Sequence, residues 1–151
     1  MPVTKTLLLE GFTSISRVNA QTITDGNFPT VVSPNPEDKK ALVMGIAQGT
    51  KDNADIILGT DPDCDRVGVA VKHKGDYILL TGNQVGALLM EYILSTTALP
   101  EKSAVIKTIV TSDLGTEIAK AYGVTVLNTL TGFKFIGEKT TQFEKAKQTR
   151  R

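Results

Sequence analysis

The sequence predicts an α/β fold, and three observations predict it. Short apolar, β-branched runs at Asp55–Leu58, Val67–Val71, Tyr77–Leu80, Val105–Val110 and Val124–Thr129 read as strands. Between and around them lie segments with helical spacing, at Gln84–Tyr92, Leu114–Tyr122 and from Phe133 onward. Turn signals such as Lys74-Gly75-Asp76, Pro100-Glu101 and Gly123 punctuate the series. Strands alternating with helices are the pattern of α/β proteins.

The elements follow in order. Lys5–Glu10 has little to hold it as an independent helix, and Gly11-Phe12 would end it. Thr13–Val18 suits a strand. Asn19–Pro36 is polar and rich in turn residues, Asp25-Gly26 being its clearest turn. Asn35 can cap a helix that carries Pro36 in its first turn, with Glu37 and Asp38 at the positive end of its dipole. Ala41, Leu42, Met44 and Ala47 supply an apolar face to that helix before Gly49. Asp55–Leu58 is a buried-type strand, Val67, Val69 and Val71 alternate as a second, and Lys74-Gly75-Asp76 turns it into a third. Thr81-Gly82-Asn83 opens a helix through Val85, Leu88, Leu89 and Tyr92. Gly123 is an apt stop for the helix Leu114–Tyr122.

Composition narrows the class. The 151 residues permit one ordinary domain or two small ones, and 40% hydrophobic residues suffice for a core. A net charge of +1 gives no field toward nucleic acid or an anionic membrane. Five Phe, three Tyr and no Trp build no stacking platform for bases. No apolar run approaches the ~20 residues of a membrane span, and no basic-then-apolar leader opens the chain. Cys64 is the only cysteine, so no internal disulfide forms. A cytoplasmic location fits these features. Arg150-Arg151 makes a basic tail that reads as a solvated end.

The most informative stretch is Leu58-Gly59-Thr60-Asp61-Pro62-Asp63-Cys64-Asp65-Arg66. Asp61, Asp63 and Asp65 crowd three like charges into one loop, which a cation would offset. Oxygen-only donors suit a hard ion, Mg²⁺ first among them. Arg66 offers a guanidinium fork to phosphate oxygens. Metal plus arginine in one turn suggests phosphoryl transfer. An EF-hand loop starting at Asp61 would need Gly at its sixth position and Glu at its twelfth, where Arg66 and Lys72 stand. A haloacid-dehalogenase-type phosphatase also sets Asp-x-Asp after a buried strand, but usually carries Thr or Val where Asp65 stands. It remains the enzyme alternative, beside a non-catalytic module that binds Mg²⁺ or sugar phosphate.

Asp55–Ala70 resembles the metal loop of the phosphohexomutases, the phosphoglucomutase and phosphomannomutase superfamily. Asp25-Gly26-Asn27-Phe28-Pro29-Thr30-Val31, leading to Pro34-Asn35-Pro36-Glu37, is similar to the segment preceding that loop. Thr129-Leu130-Thr131-Gly132-Phe133-Lys134-Phe135-Ile136-Gly137 resembles the third-domain Thr-Gly loop in its phosphoglucomutase form. The three stand in the family's order.

The resemblance implies mixed-sheet, three-layer domains. Residues 1–80 would be the later part of domain II with its metal loop, and residues 81–151 the earlier part of domain III. It implies an enzyme that interconverts hexose 1-phosphate and hexose 6-phosphate through a phosphoserine and a hexose 1,6-bisphosphate. Glucose 1,6-bisphosphate would be intermediate and activator. Asp61, Asp63 and Asp65 would hold Mg²⁺; Asp65, Arg66 and Thr131 would meet the substrate. The Ser-His-Asn-Pro nucleophile loop is absent, and Ser33-Pro34-Asn35-Pro36 lacks the histidine. The 151 residues alone are therefore expected to be inactive, to partner the remaining domains of a parent enzyme, and to self-associate through uncovered edges.

Overall fold

The computed structural model describes residues 2–148, and the basic pair Arg150-Arg151 lies outside them. The chain divides into two compact units, Met1–Gly82 and Asn83–Arg151.

In the first unit, α1 (Pro2–Leu9) buries none of its residues. It stops at Gly11, whose φ of +90° suits glycine, with Phe12 N–H donating to the Leu7 carbonyl at 3.0 Å. Thr13–Val18 does not form the expected strand. Neither sheet among the described residues includes it, and β propensity yields a strand only where a neighbouring edge accepts the ladder. The helix expected from Asn35 also starts later. The Asn35 side chain accepts from Glu37 N–H, making a local turn. Asp38 is extended and caps the next turn by accepting from Lys40 N–H at 2.9 Å. A 3₁₀ turn (Lys39–Leu42) leads into α2 (Val43–Asp52), which ends on Asn53 at φ +56°.

Strands β1 (Ile56–Thr60), β2 (Val67–His73) and β3 (Asp76–Leu80) form an antiparallel sheet in that order. Ile57 faces Ala70, and Ala70 faces Leu79. The β2–β3 turn places Lys74 and Gly75 both at positive φ, the geometry that matches strand twist in a two-residue hairpin. Leu42, Ile57, Ala70 and Tyr77 make the core, with Ile46 and Leu79 packed on it. The Tyr77 hydroxyl donates to the Ala54 carbonyl.

The valine alternation marks β2, and of its three valines Val69 is buried. The β2 residue in the Leu42 core is Ala70, and Gly68 lies under Pro36, whereas Val67 is exposed. Small residues are required there. A Cβ on Gly68 would lie 1.9 Å from the Pro36 carbonyl oxygen, and one on Gly59 would lie 2.6 Å from Leu42. On α2 it is Ile46 that packs, while Ala47 is exposed. The other face of the sheet presents Ile56, Leu58, Val67 and Ile78 as exposed side chains.

The second unit begins with α3 (Gly82–Thr96, its first residue closing the first unit). It continues through β4 (Ala104–Thr108), α4 (Leu114–Ala121), β5 (Thr125–Thr129) and α5 (Phe133–Gln148). β4 and β5 pair in parallel, from Ala104 opposite Thr125 to Thr108 opposite Thr129, and a parallel pair needs a crossover such as α4. Leu94, Ala119 and Val124 form its core, with Met90, Leu99, Val105, Ile118 and Val126 around them. Gly123 at φ +68° ends α4. Val110, expected in the strand, lies in the turn after it. Leu88, Leu89, Tyr92 and Ile93 stand exposed on α3. Among the described residues no helix is long and apolar enough to cross a membrane.

Candidate metal and phosphate site

The loop between β1 and β2 is built around one buried carboxylate. β1 carries the chain out of the core to Asp61, which is 2% exposed. Its Oδ1 accepts from the backbone N–H of Arg66 at 3.2 Å, and its Oδ2 from Arg66 Nε at 2.7 Å. The carbonyl of Asp61 accepts from Cys64 N–H at 3.1 Å. Asp61 thus closes the loop on itself and starts β2 in register.

Cys64 takes φ +61°, a conformation costly for a residue with a side chain. The exposed thiol lies 3.5 Å from Thr60 Oγ1. Asp63 and Asp65 are exposed on either side of it. One oxygen from each of Asp61, Asp63 and Asp65 lies within 4.8 Å of the others. Arg66 Nε is also 3.6 Å from Asp65 Oδ1.

The electrostatics split the acids into two kinds. Burial pushes the Asp61 pKa up, but hydrogen bonds from the Arg66 side chain and backbone and from Asp65 outweigh it and hold the group at about 2. Asp65 is raised, first by its hydrogen bond to Asp61, then by burial and by the charges of Asp61 and Asp63. The Arg66 guanidinium is raised by its bond to Asp61. The site therefore holds one carboxylate firmly ionised and another raised by its acidic neighbours. Three hard oxygen donors in that state fit a small divalent cation and fit a soft metal poorly.

Thr131 belongs to the second unit and stands exposed two residues past the end of β5. Gly132 follows at φ +130°, which a side chain would oppose. Its carbonyl accepts from Phe135 N–H at 3.0 Å as α5 begins. Lys134 lies with its ammonium 4.9 Å from the centre of the Phe135 ring. His73 and Ser33 are exposed, on elements distinct from the acidic loop.

Sequence reasoning passed over Lys107, which is buried in β4 and bonded to the turn that follows. A lysine inside the apolar run Val105–Val110 was the available signal.

Residues 2–75 match the family model described as phosphoglucomutase/phosphomannomutase, alpha/beta/alpha domain II. Residues 81–146 match that of domain III of the same family. The chain is 34% identical over 142 residues to a phosphomannomutase of Mycoplasmoides pirum, covering 94% of this chain and 26% of that protein. It is 36% identical over 146 residues to a phosphoglucomutase of Staphylococcus aureus strain N315, covering 95% and 26%. A solved phosphoglucomutase/phosphomannomutase family protein from Burkholderia thailandensis shares the fold, with a TM-score of 0.66 and 24% identity. The match covers 82% of this chain and 25% of that one. The chain thus spans about a quarter of the length of the curated relatives it matches. Two consecutive domain matches that together span nearly the whole chain place it in the phosphoglucomutase/phosphomannomutase family.

Proposed function

We propose that these residues form the middle of an enzyme that interconverts hexose 1-phosphate and hexose 6-phosphate. Residues 1–80 would be the later part of its domain II and residues 81–151 the earlier part of its domain III. The observation that carries the reading is the loop itself: a buried Asp61 held ionised by Arg66, with Asp63 and Asp65 beside it. The relatives the chain matches are named for both sugars, a phosphomannomutase and a phosphoglucomutase.

In this reading Asp61, Asp63 and Asp65 hold Mg²⁺. The bound ion would offset negative charge gathering on a phosphoryl group in transfer. Asp61 supplies the fixed anchor, because its carboxylate is ionised and immobilised by Arg66. Arg66 donates one nitrogen to Asp61, which orients the guanidinium and leaves its terminal N–H groups for a sugar phosphate. Asp65 borders both the cation site and that phosphate position. Thr131, exposed ahead of α5 in the second unit, offers a hydroxyl to a sugar phosphate.

The phosphoserine of the proposed reaction, and with it the hexose 1,6-bisphosphate, needs a loop outside these 151 residues. We therefore infer that the chain alone turns over no substrate. The phosphatase reading would make Asp61 the nucleophile, yet both of its oxygens are bonded to Arg66 at a buried position.

The test is a coupled mutase assay on an enzyme carrying this segment, with and without Asp63→Asn. Activity should depend on Mg²⁺ and fall about a hundredfold or more in the variant. An unchanged rate and unchanged Mg²⁺ dependence would remove the metal assignment.

A further inference from the structure

We propose that Lys107 is a positioning residue that orders the Thr131-Gly132 loop, a role resting on the proposed contact of Thr131 with the sugar phosphate. Lys107 is 7% exposed, one of three buried polar or charged residues among those described. Burying an ammonium is expensive, and a methionine or leucine would fill a strand position at lower cost. Its position is explained by what the ammonium holds. Nζ donates to the Thr111 carbonyl at 2.9 Å, reaches the Thr108 carbonyl at 3.5 Å and lies 3.3 Å from Asp113 Oδ1. Those three acceptors span the whole turn from the end of β4 to the start of α4. The ammonium is their common anchor.

That turn is joined to the Thr131 loop by backbone. Ile109 N–H donates to the Thr129 carbonyl at 2.9 Å, extending the parallel pair by one rung past Thr108 and Thr129. Thr129, buried, returns a 3.4 Å bond from Oγ1 to the Lys107 carbonyl. Thr131 follows two residues later. The turn has further ties: Thr108 Oγ1 and Thr111 Oγ1 are 2.9 Å apart, and Ser112 N–H donates to Asn83 Oδ1 at 3.0 Å. Three segments therefore meet at the carboxyl ends of β4 and β5, where open α/β sheets bind ligands. Lys107 is the buried cation beneath that meeting point. Without it the β4–α4 turn loses its anchor, and the rung that fixes Thr129 and the residues after it loses its support.

The experiment is ¹⁵N relaxation on the 151-residue chain, wild type against Lys107→Met and Lys107→Arg. In the wild type the Thr131 and Gly132 amides should be ordered, with order parameters near about 0.85. In Lys107→Met they should fall below about 0.6 while Ala119 and Val124 in the core stay unchanged. Lys107→Arg, which keeps a cation in reach of the same acceptors, should restore most of the order. Unchanged Thr131 and Gly132 amides in a folded Lys107→Met chain would overturn the proposal. Should that variant unfold, Asp113→Asn removes one acceptor at an exposed position, and the same local loosening in smaller degree is required. Its absence overturns the proposal equally. A glucose 1-phosphate titration of the wild type reads the Thr131 contact separately, so failure of the contact and failure of the ordering role are told apart.

Discussion

Arg66 and Asp61 show at the scale of single residues how one contact decides a protonation state. Burial alone would make Asp61 a weak acid, and the Arg66 bonds reverse that. Arg66→Met should therefore raise the Asp61 pKa well above about 2, read by ¹³C NMR of the side-chain carboxyl. An Asp61 that still titrates at about 2 in that variant would mean that Arg66 is not the cause. The signs for stability follow from the same directions. Asp61, depressed, contributes stability that is present above its unfolded value and lost as pH falls toward 2. Asp65, raised, does the reverse: its contribution is present at low pH and lost as pH rises through its folded pKa. A cation would remove the penalty on ionised Asp65. Mg²⁺ affinity should accordingly weaken as pH falls and Asp65 takes up its proton, measured by calorimetry from pH 7 downward. The acidic spacing and Arg66 were legible in the sequence because they are local. The burial of Asp61 was not, because it depends on how β1 and β2 close the loop.

At the scale of the elements, glycine placement separates close packing from open surface. Gly68→Ala drives a Cβ against the Pro36 backbone, which cannot move like the end of a side chain. It should destabilise the first unit by about 1–3 kcal/mol in urea unfolding. Gly86→Ala, inside α3 with nothing within 4 Å, should instead stabilise by about 0.5–1 kcal/mol. Equal effects at the two positions would contradict this packing. The strands and later helices were readable because periodicity and turn residues are carried locally. Thr13–Val18 misled because strand formation needs a partner edge, which no sequence window reveals. Asn35 misled for a different reason: its side chain closes a local turn by accepting from Glu37 N–H, and Asp38, extended, caps the turn that follows.

At the scale of the whole molecule, each unit leaves apolar surface uncovered. Ile56 and Ile78 flank Val71 in one row of the first sheet, and both are exposed. Exposed apolar faces of this kind favour association. The isolated chain should show concentration-dependent self-association in sedimentation velocity, weakened by Ile56→Lys with Ile78→Lys. A monomer at all concentrations would contradict this. The family was visible in three ordered motifs, and both domain models agree with them. The buried lysine that ties the β4–α4 turn showed in the sequence only as a charge inside an apolar run; what it holds depends on the turn that follows β4.

The central claim is that Asp61, Asp63 and Asp65 act together as one cation site. An NMR titration of the chain with Mg²⁺, in wild type and Asp63→Asn, tests it most directly. The account predicts saturable shifts confined to the amides of residues 60–67, weakened about tenfold or more by the substitution. Shifts absent from that loop, or identical in the two proteins, would contradict it.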